Sequence, residues 1–172
     1  MKYRIAKLSD YKSIVSLHYS IRETYSVGLF SKLGKHFLNR YYKIILNDPN
    51  SVIVCAEDDK GILQGFCSST IDVKAQMDNI RRHNFSLGLA AFTSVIRQPS
   101  LLNDLWDRYK VVKNDSSIKI ISTKGARSEY WVWLATNPDS ASSVGMYFAQ
   151  LNILKSLGVK EFFGEVDKVN KK

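Results

Sequence analysis

The sequence predicts a mixed α/β domain, one sheet with helices on both faces. Three observations carry this. A β-branched strand pattern at Ser51–Glu57 is followed by Asp58-Asp59-Lys60-Gly61 and a second strand pattern at Ile62–Ile71, a hairpin signature. Two amphipathic helix patterns lie upstream of it. Downstream, a strand at Glu129–Thr136 runs through Asn137-Pro138 and a Ser-rich turn into a helix at Val144–Leu157, which Gly158 stops before a last strand at Glu161–Val166.

The elements follow in order. Tyr3–Ala6 alternates and reads as a first strand. Ser9-Asp10 supplies an N-cap, and Tyr11, Ile14, Val15, Leu17 and His18 share one helical face running to about Tyr25. Phe30-Ser-Lys-Leu-Gly34 leads into a second helix, Lys35–Leu46, with Phe37, Leu38, Tyr41, Tyr42 and Ile45 on its core side. Asp48-Pro49-Asn50 ends it. In the returning hairpin strand, Gly65 marks a bulge or a close approach. Asp72–Arg97 reads as helical, Pro99-Ser100 as a break, and Leu101–Val112 as another amphipathic helix. Lys113–Ser128 reads as a polar loop with a strand-like core at Ile118–Ile121. Residues 72–128 are thus a helical insertion, and 1–172 form a single domain of order β-α-α-β-β-(α-α)-β-α-β.

With 172 residues, 45% of them hydrophobic, the chain can bury an ordinary core. Met1–Lys7 lacks the apolar stretch of a signal peptide, and no apolar run is long enough for a membrane span, so a cytoplasmic location is expected. Cys55 and Cys67 lie in apolar strand patterns and read as buried free thiols. No Cys/His group has zinc-ligand spacing, so no metal is expected. The net charge is +9 and the pI about 9.5. The basic residues are scattered, which argues against a nucleic-acid binder and suits a ligand carrying phosphates.

A strand that stops at Asn-Pro, a turn of small residues and a helix N-terminus together offer backbone N–H groups to an anion. That layout at 129–166 resembles the cofactor-binding unit of the GNAT acetyltransferases. The resemblance extends to Phe30–Tyr42, which looks like the second helix of a bacterial subgroup, and to Ile53–Ile71 with Gly65-Phe66-Cys67-Ser68-Ser69. The helical insertion before the fourth strand is typical of the same subgroup, whose members often serve amino-sugar and surface-polysaccharide pathways. The resemblance implies acetyl-CoA as cosubstrate and acetyl transfer to a primary amine, an amino sugar among the candidates.

It also implies residues. Pantetheine would run along the exposed backbone of Trp133, Leu134, Ala135 and Thr136, and the pyrophosphate would meet Ser140, Ser142, Ser143, Val144 and Gly145. Asn170 matches an Asn that commonly contacts the cofactor. The family's loop carries Arg or Gln and then Gly-x-Gly. Pro138–Gly145 has neither Arg nor Gln and keeps one Gly, and Asp139 suits a pyrophosphate only if turned away. The family continues with a helix that carries a Tyr acid and two more strands; this sequence stops before them, either because it is truncated or because the protein is a shortened homologue. If those strands are absent, 161–166 is expected to be a sheet edge through which a homodimer could form.

Acetylation needs a base for the ammonium proton. Glu129 is the candidate, because the start of the family's fourth strand faces the acceptor; its other reading is a solvated charge flanking a strand. Glu57 and Asp72 are weaker candidates, and His18 and His36 read as packed or half-exposed helix residues. The alternative function is a GNAT-fold module that binds or regulates without catalysis.

Overall fold

The hairpin forms the centre of the sheet. In the computed structural model, which describes residues 1–23, 29–106 and 125–164, β2 (Ser51–Glu57) pairs antiparallel with β3 (Leu63–Thr70). At the turn, Asp58 Oδ1 accepts from the N–H groups of Lys60 and Ile62 at 2.9 Å each. Gly61 adopts φ +76°, which costs a residue without Cβ nothing. β1 (Lys2–Ile5) pairs antiparallel with β2, and β4 (Ala126–Trp133) antiparallel with β3. β5 (Phe162–Phe163) is parallel to β4, so the order is β1-β2-β3-β4-β5.

Strand alternation sorts the core into two layers. Ile53, Cys55 and Phe66 face α1 (Tyr11–Ser20) and α3 (Gly34–Leu46), packing with Ile14, Leu38, Tyr42 and Ile45. Short α2 (Leu29–Lys32) adds Leu29 to that layer. Val52, Val54 and Cys67 face the other way, onto Met146 and Leu154 of the last helix, α6 (Ser140–Ser156). Between β3 and β4 lie α4 (Val73–Arg82) and α5 (Asn84–Arg97), followed by helical residues 101–106. Both thiols are free and buried, and burial pushes each up to about 12, which leaves them unreactive at neutral pH.

Several boundaries differ from the sequence reading. α1 stops at Ser20 and gives way to a 3-10 turn at Ile21–Glu23. β4 covers Ala126–Trp133 and not 129–136. Leu134 N–H makes one more bond, to the Gln64 carbonyl at 2.8 Å, and the chain then turns, Asn137 N–H donating to the Leu134 carbonyl. Ala135 and Thr136 therefore lie beyond the strand. α6 begins at Ser140, four residues before the expected Val144, because the Asp139 carboxylate caps it by accepting from Ser142 N–H at 2.9 Å. The helical reading of 72–97 divides at His83 into α4 and α5. The expectations for Tyr25, the end of the helix at Val112, the strand-like 118–121, Val166 and Asn170 fall outside the described residues. Among the described residues, no helix is long and apolar enough to cross a membrane.

Candidate active site

The pairing of β3 with β4 slips at one point. Ser68 is opposite Tyr130, yet Ser69 is opposite Ser128, so Glu129 is an extra residue in a β-bulge. In a regular strand, residues 129 and 130 would point to opposite faces. Here Tyr130 packs on the α1/α3 layer, and Glu129 lies beside Ser68 and Gln76 and senses Tyr41 and Tyr42, on the same side.

Burial pushes the Glu129 carboxyl up to about 7, against the opposing pull of Arg127 and of the nearby Gln76 and Ser68 side chains. Around it, Glu129 Oε2, Ser68 Oγ, Gln76 Oε1 and Asp48 Oδ2 are buried and lack a well-formed hydrogen bond among the described residues. The opposite ends of two of these groups are fixed: Gln76 Nε2 donates to Ser51 Oγ at 3.0 Å, and Asp48 Oδ1 accepts from Asn50 N–H at 2.9 Å. Buried polar groups gathered around a carboxyl that titrates near neutrality, with Gln76 and Ser68 as its hydrogen-bonding neighbours, mark a candidate site. Asp48 also walls a cleft of about 380 Å³ between the end of α3 and α4, with Asn47, Asn50, Asp78, Asn79 and Arg82.

The weaker sequence candidates have structural duties. Arg4 Nε donates to Glu57 Oε1 at 2.9 Å, and Asp72 caps α4 by accepting from Ala75 N–H. His18 is buried, its Nδ1 is 2.6 Å from the Tyr42 hydroxyl, and desolvation lowers its pKa to about 4, so the ring is neutral. His36 is exposed on α3.

On the other side of β4, β5 pairs at two described positions, Ala126↔Phe162 and Arg127↔Phe163, and Gly164 follows beside Ser128. From Ser128 to Trp133 this edge of β4 has no strand neighbour among the described residues. Trp131 lies flat on Tyr147 of α6, centroids 4.8 Å apart and planes 11° apart, while its Nε1 donates to Ser143 Oγ at 3.0 Å. Trp133 Nε1 donates to the Asn137 carbonyl at 2.9 Å. Its ring covers Gly65, where a Cβ would lie 2.3 Å from Trp133 Cε3. Gly65 is thus a close approach, and it also flanks a bulge, since Ala56 pairs with Gly65 and Glu57 with Leu63.

Ser140, Ser142, Ser143, Val144 and Gly145 form the first turns of α6. Asp139 sits at their head with its carboxylate pKa lowered by the bond from Ser142. Gly145 faces β1: a Cβ there would meet the Tyr3 hydroxyl at 2.5 Å, and that hydroxyl donates to the Ser142 carbonyl. The Trp131–Ser143 bond joins this helix start to the open edge of β4, and Glu129 lies on the opposite face. Sequence reading passed over Ser68, Asp48 and Gln76. The available signal was Gln76 itself, three residues from Val73 on the buried face of α4.

No family model matches the chain, and no curated protein does. Solved structures do. The aminoglycoside N-acetyltransferase AAC(6')-Iy in complex with CoA superposes with a TM-score of 0.58 at 10% identity, over 98% of this chain and 78% of that one. Ribosomal-protein-alanine N-acetyltransferase from Brucella melitensis biovar Abortus 2308 gives 0.53 at 9% identity, over 99% and 82%. An acetyltransferase from Vibrio fischeri gives 0.52 at 16% identity, over 96% of each chain. The fold is that of the GNAT acetyltransferases. The residues that the sequence resemblance assigned to the cofactor lie at the end of β4, in the turn after it and at the start of α6.

Proposed function

We propose that this chain is an acetyl-CoA-dependent N-acetyltransferase acting on a primary amine, with Glu129 as the general base. The observation that carries the reading is the bulge. It sets a desolvated carboxyl, titrating at about 7, on β4 two residues beyond its last described pair with β5, Arg127↔Phe163. A carboxyl of that acidity is matched to taking a proton from an ammonium near neutral pH, directly or through one water.

The open backbone edge of β4 fits a pantetheine arm, which pairs like a strand through its amides. Trp133 lies on that edge; Leu134 already spends its N–H on the Gln64 carbonyl and its carbonyl on Asn137 N–H, and Ala135 and Thr136 follow in the turn. The α6 N-terminus, Ser140 to Gly145, favours the pyrophosphate through its dipole. Asp139, whose carboxylate already holds Ser142 N–H, acts against it. Asn170 stays part of the proposal on sequence grounds alone. Bound acetyl-CoA would supply the activated acetyl thioester; the residues of this chain orient the amine and take its proton. The polar cleft at Asp48, Asn50, Asp78 and Asn79 supports an acceptor rich in hydroxyl groups, such as an amino sugar.

The capping carboxylate of Asp139 favours one second reading, a GNAT-fold binding module without turnover. Thiol release from acetyl-CoA across a panel of amino sugars and alkylamines tests the first. Turnover that Glu129→Gln abolishes supports it. CoA binding by calorimetry with no turnover on any amine supports the second. Absence of CoA binding overturns both.

A further inference from the structure

The outer face of α5 is not built for water. Its sequence, Asn84–Arg97, contains one charged residue, Arg97. Phe85, Leu89, Phe92 and Ile96 form one stripe at 4-3-4 spacing and are 87%, 67%, 57% and 62% exposed. Folding does not require this stripe. α5 is fastened by its opposite face, where Leu87 and Ala91 enter the core and Ser94 Oγ donates to the Leu33 carbonyl at 2.8 Å.

Among the described residues, the acids that flank the stripe in sequence are already paired, Asp78 with Arg81 and Asp104 with Lys32, which leaves a basic frame. Residues 79–97 include Arg81, Arg82, His83 and Arg97 and no acid, and the three arginines are exposed at the two ends of the helix. Arg81 shares its charge with Asp78 at 3.0 Å. A second copy is a poor occupant. The stripe offers roughly 500 Å² of apolar surface, below the ~800 Å² per partner of a stable interface. In either direction of helix pairing, arginines at the ends would meet arginines, on molecules of net charge +9.

We infer that α5 docks this protein on an anionic lipid surface, with Phe85, Leu89, Phe92 and Ile96 at the acyl boundary and Arg82 and Arg97 at the phosphates. Apolar burial framed by basic residues is how an interfacial helix binds without crossing. Arg82 also lines the cleft that the acetyl-transfer reading gives to the acceptor, so the inference shares that one residue with it and otherwise stands apart.

Co-sedimentation of the full chain with vesicles tests it. One set is phosphatidylcholine alone and the other contains about one third phosphatidylglycerol. The expected result is binding to the anionic set only, weakened by salt. The pair Phe85→Ser and Phe92→Ser should lower the partition coefficient about tenfold or more. Arg82→Gln with Arg97→Gln should lower it about fivefold or more. An unchanged thermal transition shows that these variants fold. Equal binding to both vesicle sets overturns the inference, as does anionic binding that survives the double serine variant. Light scattering that finds a dimer dissolved by the serine pair, with no vesicle binding, also overturns it and assigns the stripe to a second copy.

Discussion

Glu129 and Tyr130 are sequence neighbours that face the same side of the sheet, because Glu129 is the extra residue opposite Ser68 and Ser69. The bulge turns a carboxylate that a regular strand would place on the α6 side into the layer under α3. Glu129→Gln keeps the shape and removes the proton acceptor. Its kcat/KM for acetyl transfer is expected to fall about 10²-fold or more. The limb of the wild-type pH profile that rises through about 7 should disappear. Steady-state rates between pH 5.5 and 9 check this.

The same carboxyl makes a stability prediction with a definite sign. Glu129 holds its proton up to about 7 in the folded chain but only to the ordinary carboxylate range when unfolded. The folded state binds more protons in that window, so stability falls as pH rises from about 4.5 through 7. Glu129→Gln should therefore gain on the wild type by about 3 kcal/mol between pH 4.5 and 8. Urea titrations at the two pH values measure it.

His18 acts in the opposite direction. Its ring stays neutral to about 4 when folded and protonates near 6.5 when unfolded. Stability is lost as pH falls through that window, by about 3 kcal/mol at its end. His18→Gln lacks this dependence. The stability difference between wild type and variant should shrink by that amount from pH 7 to pH 4.

Asp139 separates capping from ligand binding. Asp139→Asn retains an N-cap acceptor and should alter stability little, whereas Asp139→Ala removes the acceptor and should lower the Tm. Both remove the negative charge at the start of α6, so CoA should bind about twofold to fivefold more tightly to each. Calorimetry with CoA and thermal denaturation give the two readouts.

Gly65 tests the packing behind the open edge. Gly65→Ala places a Cβ 2.3 Å from Trp133 Cε3 and 3.0 Å from the Val132 carbonyl. The Trp133 ring must leave its place, at a cost of about 2 kcal/mol. A shifted Trp emission maximum together with a lower Tm is the expected result.

The architecture was legible in the sequence because it rests on local periodicity. Alternation placed β2 and β3, the 3.6-residue repeat placed α1 and α3, and Asp58–Gly61 specified their own turn. Glu129 was legible as a residue but not in its setting. Nothing in residues 129–130 announces a bulge, because a bulge is a register slip between strands some sixty residues apart in sequence. The start of α6 was misread for a related reason: Ser140–Ser143 looks like a turn until the Asp139 carboxylate is seen over Ser142 N–H. Gly145 looked like a residue for close ligand approach, and the tertiary structure gives it the Tyr3 hydroxyl as a neighbour. The partners Ser68, Gln76 and Asp48 come from three separate elements. Composition and periodicity determine which elements form. How far a carboxyl is desolvated, and what surrounds it, depends on distances between segments that only the folded chain brings together.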